Sequence, residues 1–307
     1  MPPRHDRPVA LITGAGRRVG AVIARTLHAA GYDLALHYRH SADDARALAD
    51  ELERQRACST LLLQAELAEL PALPAMIERL LAHYGRLDAL VNNASAFFPT
   101  PLDTATPQQW NELFASNAQA PFFLSQAAIP ALREARGGIV NLIDIYAERP
   151  LAEHAVYCMA KAANAAMTRS LALELGPEIR VNGVAPGAVM WPSDGKPYDD
   201  QQAMLSRTPL QRAGAPEDVA GAVLWLLRDA PFVTGQILRI DGGRTLSVWL
   251  PPLRGEAVHH VTSSACCGTP APATPDRNRH WHRLLPRNDI AQLRRCPAAT
   301  TGSGQAG

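Results

Sequence analysis

The stretch VALITGAGRRVG, Val9 to Gly20, decides the fold. Its first five residues form a short unbroken apolar run, the pattern of a strand covered on both faces in a parallel sheet. Glycines at 14, 16 and 20 then surround Arg17 and Arg18, and AVIARTLHAAG, from Ala21, reads as a helix closed by Gly31. Strand, glycine-rich turn and helix in that order present backbone N–H groups at the positive end of a helix, a seat for a pyrophosphate. A tight turn that merely needs glycine fits the same letters.

The alternation then repeats. Strands are expected at Asp33–His37, Thr60–Gln64, Asp88–Val91, Gly137–Asp144, Glu178–Ala185 and Gln236–Ile240, each followed or preceded by a helical stretch. With Val9–Thr13 they make seven strands. The fold class is therefore α/β: a single Rossmann-like doubly wound domain with a seven-stranded parallel sheet, spanning residues 1–247. A long helix is expected from Pro107 to Leu132, interrupted by Pro121 and carrying Asn117 in its middle, where asparagine supports a local irregularity or a bound water, or is simply a satisfied polar side chain. Residues 188–212 break the rhythm with prolines and Met190-Trp191, at the sheet edge where a substrate lid would lie. Residues 248–307 have scattered proline, little periodicity and a glycine-serine end, and read as a low-order tail.

At 307 residues and 47% hydrophobic, the chain can bury a large core and still carry such an appendage. A net charge of +1 gives no reason to expect nucleic acid or an acidic membrane as partner. No apolar stretch approaches the ~20 residues of a membrane span, and the N-terminal apolar run reads as a strand rather than a signal peptide, so a cytoplasmic location is expected. The five cysteines include no C-x-x-C pair, and His259-His260 with Cys266-Cys267 have poor ligand spacing, so no metal is expected.

The candidate chemistry lies in DIYAERPLAEHAVYCMAK, Asp144 to Lys161. Tyr157 and Lys161 are four apart and leave one face of a helix a turn apart. A free phenol titrates near ~10, so a tyrosine that moves protons at neutral pH needs a cation beside it and a defined hydrogen-bond partner; Lys161 and Asp144 are the candidates. Lys161 and Lys196 are the only lysines in the chain, which sets Lys161 apart from incidental surface charge. At the end of the second strand, Tyr38-Arg39-His40-Ser41 offers cations where an acidic residue would take a ribose 2′-hydroxyl and an arginine a 2′-phosphate, which favours NADPH over NADH unless these are only solvated loop residues. Asn92 and Asn93 suit the ligand crevice at a strand end, and Phe97-Phe98 beside them are either core or a flat wall for a planar substrate.

These residues, from about Pro8 to Ser247, resemble the short-chain dehydrogenase/reductase superfamily: Thr13-Gly14 with Gly20, Asn92-Asn93-Ala94, Asn117, Tyr157-x-x-x-Lys161, Pro186-Gly187 and Asp241-Gly242-Gly243 fall in its order. Arg18 in the glycine turn, the segment His37-Tyr38-Arg39-His40-Ser41-Ala42, the segment Asn93 to Leu102, and Asp144 in place of the usual serine resemble the pteridine reductases. The resemblance implies a homotetramer and NADPH-dependent reduction of dihydropterins to tetrahydropterins. It implies that Asp144, Tyr157 and Lys161 are catalytic, Lys161 lowering the phenol pKa. It implies cofactor contacts from Gly14, Arg17, Arg18, Val19, His37, Tyr38, Arg39, His40, Ser41, Glu66, Leu67, Asn93, Ala94, Ser95, Tyr157, Lys161, Pro186 and Gly187, and pteridine contacts from Arg18, Ser95, Phe97, Asp144 and Tyr157. Arginine and histidine stand in swapped order at 39 and 40, so either is the 2′-phosphate ligand. Pterin reduction delivers hydride to a ring carbon and a proton to an adjacent ring nitrogen, for which a carboxyl hydrogen-bonded to tyrosine is suited. The alternatives are a carbonyl or 3-oxoacyl reductase of the same fold and a non-catalytic NADPH-binding regulator.

Overall fold

The computed structural model describes residues 6–189 and 201–247. The chain divides into two units, Met1–Leu250 and Pro251–Gly307, and every described residue falls in the first. The expected tail, with its His259-His260 and Cys266-Cys267 pairs, and the lid residues Met190 and Trp191 lie outside the described residues.

Seven parallel strands form one sheet in the order β3-β2-β1-β4-β5-β6-β7. They are β1 Val9–Ile12, β2 Asp33–Tyr38, β3 Thr60–Gln64, β4 Ala89–Asn92, β5 Gly138–Leu142, β6 Arg180–Pro186 and β7 Ile237–Ile240. Helices α1 Arg18–Ala29, α2 Ala42–Gln55, α3 Ala72–Tyr84, α4 Pro107–Phe114, α5 Ala120–Ala135, α6 Ala155–Leu175, α7 Gln201–Ser206 and α8 Pro216–Leu224 alternate with them. The two-residue period of β1 divides its side chains between two cores. Ala10 and Ile12 join Ile23, Leu27, Val219 and Val223 of α1 and α8, while Val9 and Leu11 join Leu80, Leu124 and Leu171 of α3, α5 and α6. That is why the run is apolar at every position: neither face of the strand meets water. Strand order reverses between β1 and β4, and a crevice opens there at the carboxyl ends of the strands.

The expected single helix from Pro107 is in fact two. A five-residue π turn, Ala115–Gln119, joins α4 to α5, and Pro121 follows in the first turn of α5; with no N–H of its own it leaves Asn117 O, four residues back, to accept from Asn164 Nδ2 at 2.8 Å. Asn117 supports the irregularity, as expected. Fully buried, its Nδ2 donates to Leu113 O and Ala96 O, both at 2.9 Å. The amide supplies a hydrogen bond to a carbonyl within the altered ladder. Among the described residues no helix is long and apolar enough to cross a membrane, and no group of three or more His, Cys, Asp or Glu could hold a metal ion.

Candidate active site

The glycine turn is built against the end of β4. Asn93 Nδ2 donates to Thr13 O at 2.8 Å and Gly14 O at 3.1 Å, while Thr13 Oγ1 accepts from the N–H groups of Asn93 and Ala94. A Cβ on Gly20 would run into Gly14 O and the Asn93 amide, so only glycine lets α1 approach this closely. Two of the turn's N–H groups are already used. Gly14 N–H donates to His37 Nδ1 at 3.1 Å, and Ala15 N–H donates to His37 O at 2.8 Å. A phosphate at this turn finds the N–H groups that open α1, those of Arg18, Val19 and Gly20, ahead of Ala21, whose N–H already donates to Arg17 O.

The ring of His37, expected among the cofactor contacts, is turned onto protein. Its side chain is buried; since Nδ1 accepts from Gly14, Nε2 carries the hydrogen and donates to Ala65 O at 3.2 Å. Burial pushes its pKa down and keeps the ring neutral, the form this bridge requires. His37 thus braces the glycine turn against the loop after β3, with both ring nitrogens spent on protein. Tyr38 closes β2, with its carbonyl accepting from Ala65 N–H.

Arg39 and His40 are exposed at the end of β2. Arg39 Nε donates to His40 Nε2 at 2.7 Å and lies 3.0 Å from Glu66; Arg17 pairs with Asp44 at 2.6 Å. Both ion pairs are solvent-exposed and weak, so a phosphate can compete for either arginine. Ser41 borders the glycine turn, where a Cβ on Gly16 would come within 2.8 Å of its hydroxyl. Leu67 is buried. Pro186 closes β6, and Gly187 N–H donates to Ile240 O at 2.9 Å, its Cα packed so closely on Asp241 that a side chain would not fit.

Arg18 takes a left-handed conformation with φ at 52°, a position that favours glycine and costs other residues about 1–2 kcal/mol. It is exposed, with Val19 half-buried beside it. The arginine is thus held where glycine would be easier, at the mouth of the crevice.

Asp144, Tyr157 and Lys161 come together as expected. Asp144 follows β5 and caps the short turn Ile145–Ala147, its Oδ1 accepting from Tyr146 N–H at 2.9 Å. Its Oδ2 accepts from the Tyr157 hydroxyl at 2.8 Å. One helical turn on, Lys161 is buried and donates to Leu142 O at 2.8 Å, its Nζ 5.8 Å from the centre of the Tyr157 ring. Burial pushes the ammonium down to about 8, with Asp144 pulling the other way. Burial also pushes the Asp144 carboxyl up, opposed by the hydrogen bonds from Tyr146 and Tyr157 and by the charge of Lys161.

A lowering of the phenol pKa by Lys161 does not set the net direction. Burial and then the facing Asp144 carboxylate push Tyr157 well above its ordinary value, with the nearby Ser95 hydroxyl acting against them. A buried phenol beside a carboxylate holds its proton.

Ser95 and Phe97 sit over this cluster. Ser95 Oγ donates to Asn117 Oδ1 at 2.8 Å, and Asn117 O accepts from Asn164 Nδ2 at 2.8 Å, so the π turn is fastened to both the substrate-side loop and α6. Phe97 is 45% exposed and meets Tyr157 edge to face at 4.8 Å, which makes it a wall rather than core. His154, stacked on Phe97, was missed by sequence reasoning; its only signal is its position three residues before Tyr157.

A doubly wound sheet with a glycine turn at its switch point and a Tyr-Lys-Asp cluster at the same edge defines a nicotinamide-dependent oxidoreductase. Residues 14–245 match the family described as enoyl-(acyl carrier protein) reductase, and the chain belongs to the short-chain dehydrogenase/reductase superfamily. It is 37% identical to pteridine reductase 1 of Leishmania tarentolae over 78% of this chain and 97% of that protein. It is 36% identical to the granaticin polyketide synthase putative ketoacyl reductase 2 of Streptomyces violaceoruber, over 78% and 97%. Against a 3-oxoacyl-[acyl-carrier-protein] reductase of Staphylococcus aureus it is 34% identical, over 76% and 96%.

Proposed function

We propose that the protein reduces pteridines with NADPH, taking dihydropterins to tetrahydropterins. The observation that carries the reading is the carboxylate at the tyrosine: Asp144 Oδ2 receives the Tyr157 hydroxyl where carbonyl reduction has no need of a carboxyl. The likeness to a pteridine reductase supports it. Bound in the crevice, the nicotinamide supplies the hydride. Arg39 or His40, at the end of β2, is the ligand for a 2′-phosphate, and the first turn of α1 receives the pyrophosphate. Lys161 keeps two donors beyond its bond to Leu142 O, enough for the hydroxyls of a ribose. Tyr157 is the proton donor, and Asp144, which accepts the Tyr157 hydroxyl, orients that proton or relays it to the ring nitrogen. Ser95 and Phe97 hold the ring, and Arg18 lies between it and the phosphates. A cytoplasmic homotetramer completes the reading by family resemblance.

A 3-oxoacyl or ketone reductase is the second reading, favoured by the two ketoacyl-reductase relatives. Steady-state oxidation of NADPH and of NADH with dihydrobiopterin, with tetrahydrobiopterin identified as product, tests the first; turnover with NADH alone or no pterin product defeats it. Arg18→Gly gives a separate check. Because the backbone there already suits glycine, the variant keeps its melting temperature within the effect of about 1 kcal/mol. Its KM for dihydropterin rises about tenfold or more, the loss of a charged hydrogen-bond donor.

A further inference from the structure

Phe97 is nearly half exposed, yet its ring is held in place. The His154 imidazole lies parallel to it, 4.7 Å between centroids and 15° between planes, and Tyr157 meets it at 82°. His154 is itself anchored. It stands at the N-cap of α6, and its Nδ1–H donates to Ala152 O at 2.8 Å. It also pairs with Thr100 through an isolated parallel bridge, in which Thr100 N–H donates to Glu153 O. The chain on both sides of the stack is therefore fixed, the loop of Phe97 through Thr100 and the imidazole through α6.

We propose that His154 is a positioning residue that sets the plane of Phe97 for a planar heteroaromatic substrate. The inference rests on the pteridine reading above. An unrestrained aromatic side chain on a loop gives up rotamer freedom when a ring stacks on it, and that loss is subtracted from binding. Stacking on an anchored imidazole removes the freedom before the substrate arrives. A flexible acyl chain packs on Phe97 in many orientations and gains little from a fixed ring plane. The stack itself is an offset aromatic pair of ordinary strength.

The test is a set of full-length variants assayed with dihydrobiopterin and with an acetoacetyl thioester, with NADPH affinity measured by fluorescence. His154→Ala is expected to raise KM for dihydrobiopterin about three- to tenfold, to change kcat by less than about twofold, and to leave NADPH affinity and the thioester KM unmoved. His154→Phe, which keeps the stack, restores KM; His154→Gln does not, and this pair decides the matter should the alanine variant fail to fold. The inference is overturned alone if the wild-type enzyme reduces dihydrobiopterin and either His154→Ala keeps its KM or glutamine serves as well as phenylalanine. Equal rises in KM for both substrates also overturn it, since they mark general damage. Turnover of the thioester alone by the wild-type enzyme overturns both the inference and the reading beneath it.

Discussion

Lys161→Met is expected to yield a more stable protein with almost no activity. Lys161 is 2% exposed and its ammonium makes one hydrogen bond, to Leu142 O. Holding that charge in the core is unfavourable, which is what the fall of its pKa from 10.5 to about 8 expresses. The shift corresponds to about 3 kcal/mol, and methionine fills a similar volume with no charge to desolvate. Asp144, already raised by burial, takes up a proton once its cation is gone, so no lone buried charge is left behind. A gain of about 2–3 kcal/mol, or roughly 5–10 °C in melting temperature, follows at neutral pH. The pH dependence fixes the cause. Since the folded pKa lies below the unfolded value, the unfolded chain binds more protons between about 8 and about 10.4, and the penalty carried by the wild-type protein fades as pH rises through that window. The advantage of the methionine variant is therefore full below pH 8 and shrinks above it. Catalysis moves the other way, with kcat/KM falling about 10²- to 10⁴-fold as the proton relay loses its cation. Denaturant unfolding at pH 7 and pH 10, beside steady-state rates, checks both halves; a destabilised variant at pH 7 would contradict the account.

Asp144→Ser is expected to separate the two substrate classes. Serine can still accept the Tyr157 hydroxyl, so the carbonyl-reducing machinery stays complete, and acetoacetyl thioester turnover is kept or improved. What is lost is the carboxyl that orients or relays the Tyr157 proton toward a ring nitrogen. Dihydropterin kcat/KM drops about 10²- to 10³-fold, with the fall in kcat. NADPH affinity is unchanged, because the glycine turn and the end of β2 do not involve Asp144. Equal losses on both substrates would mean that the carboxyl holds the site together instead of serving one chemistry. Pterin reduction at the parent rate would remove Asp144 from the mechanism.

Much of this was legible in the sequence because it depends on local pattern. Val9 to Ile12 must be buried on both sides to be apolar at every position, and Tyr157 and Lys161 must share a face if they lie on one helix. What stayed hidden depends on pairings across the chain. His37 reads as part of a phosphate-binding segment, and only the register of β2 against β3 turns its ring inward onto Gly14 and Ala65. At Asn117 a polar residue in mid-helix gives away that an irregularity is there, but not that it is a π turn. The sign of the Tyr157 shift was misjudged because sequence shows that a lysine is near but not how deeply the phenol and the carboxylate are buried together. Phe97 and His154 stand far apart in sequence, and no spacing rule joins them.

The most direct test of the central claim, that Asp144 beside Tyr157 makes this a pterin-reducing site, is the ratio of kcat/KM for dihydrobiopterin to that for an acetoacetyl thioester, measured on the wild-type protein with NADPH. The account predicts a ratio well above one. A ratio below one would place the protein with the ketoacyl reductases and leave Asp144 without the role given to it.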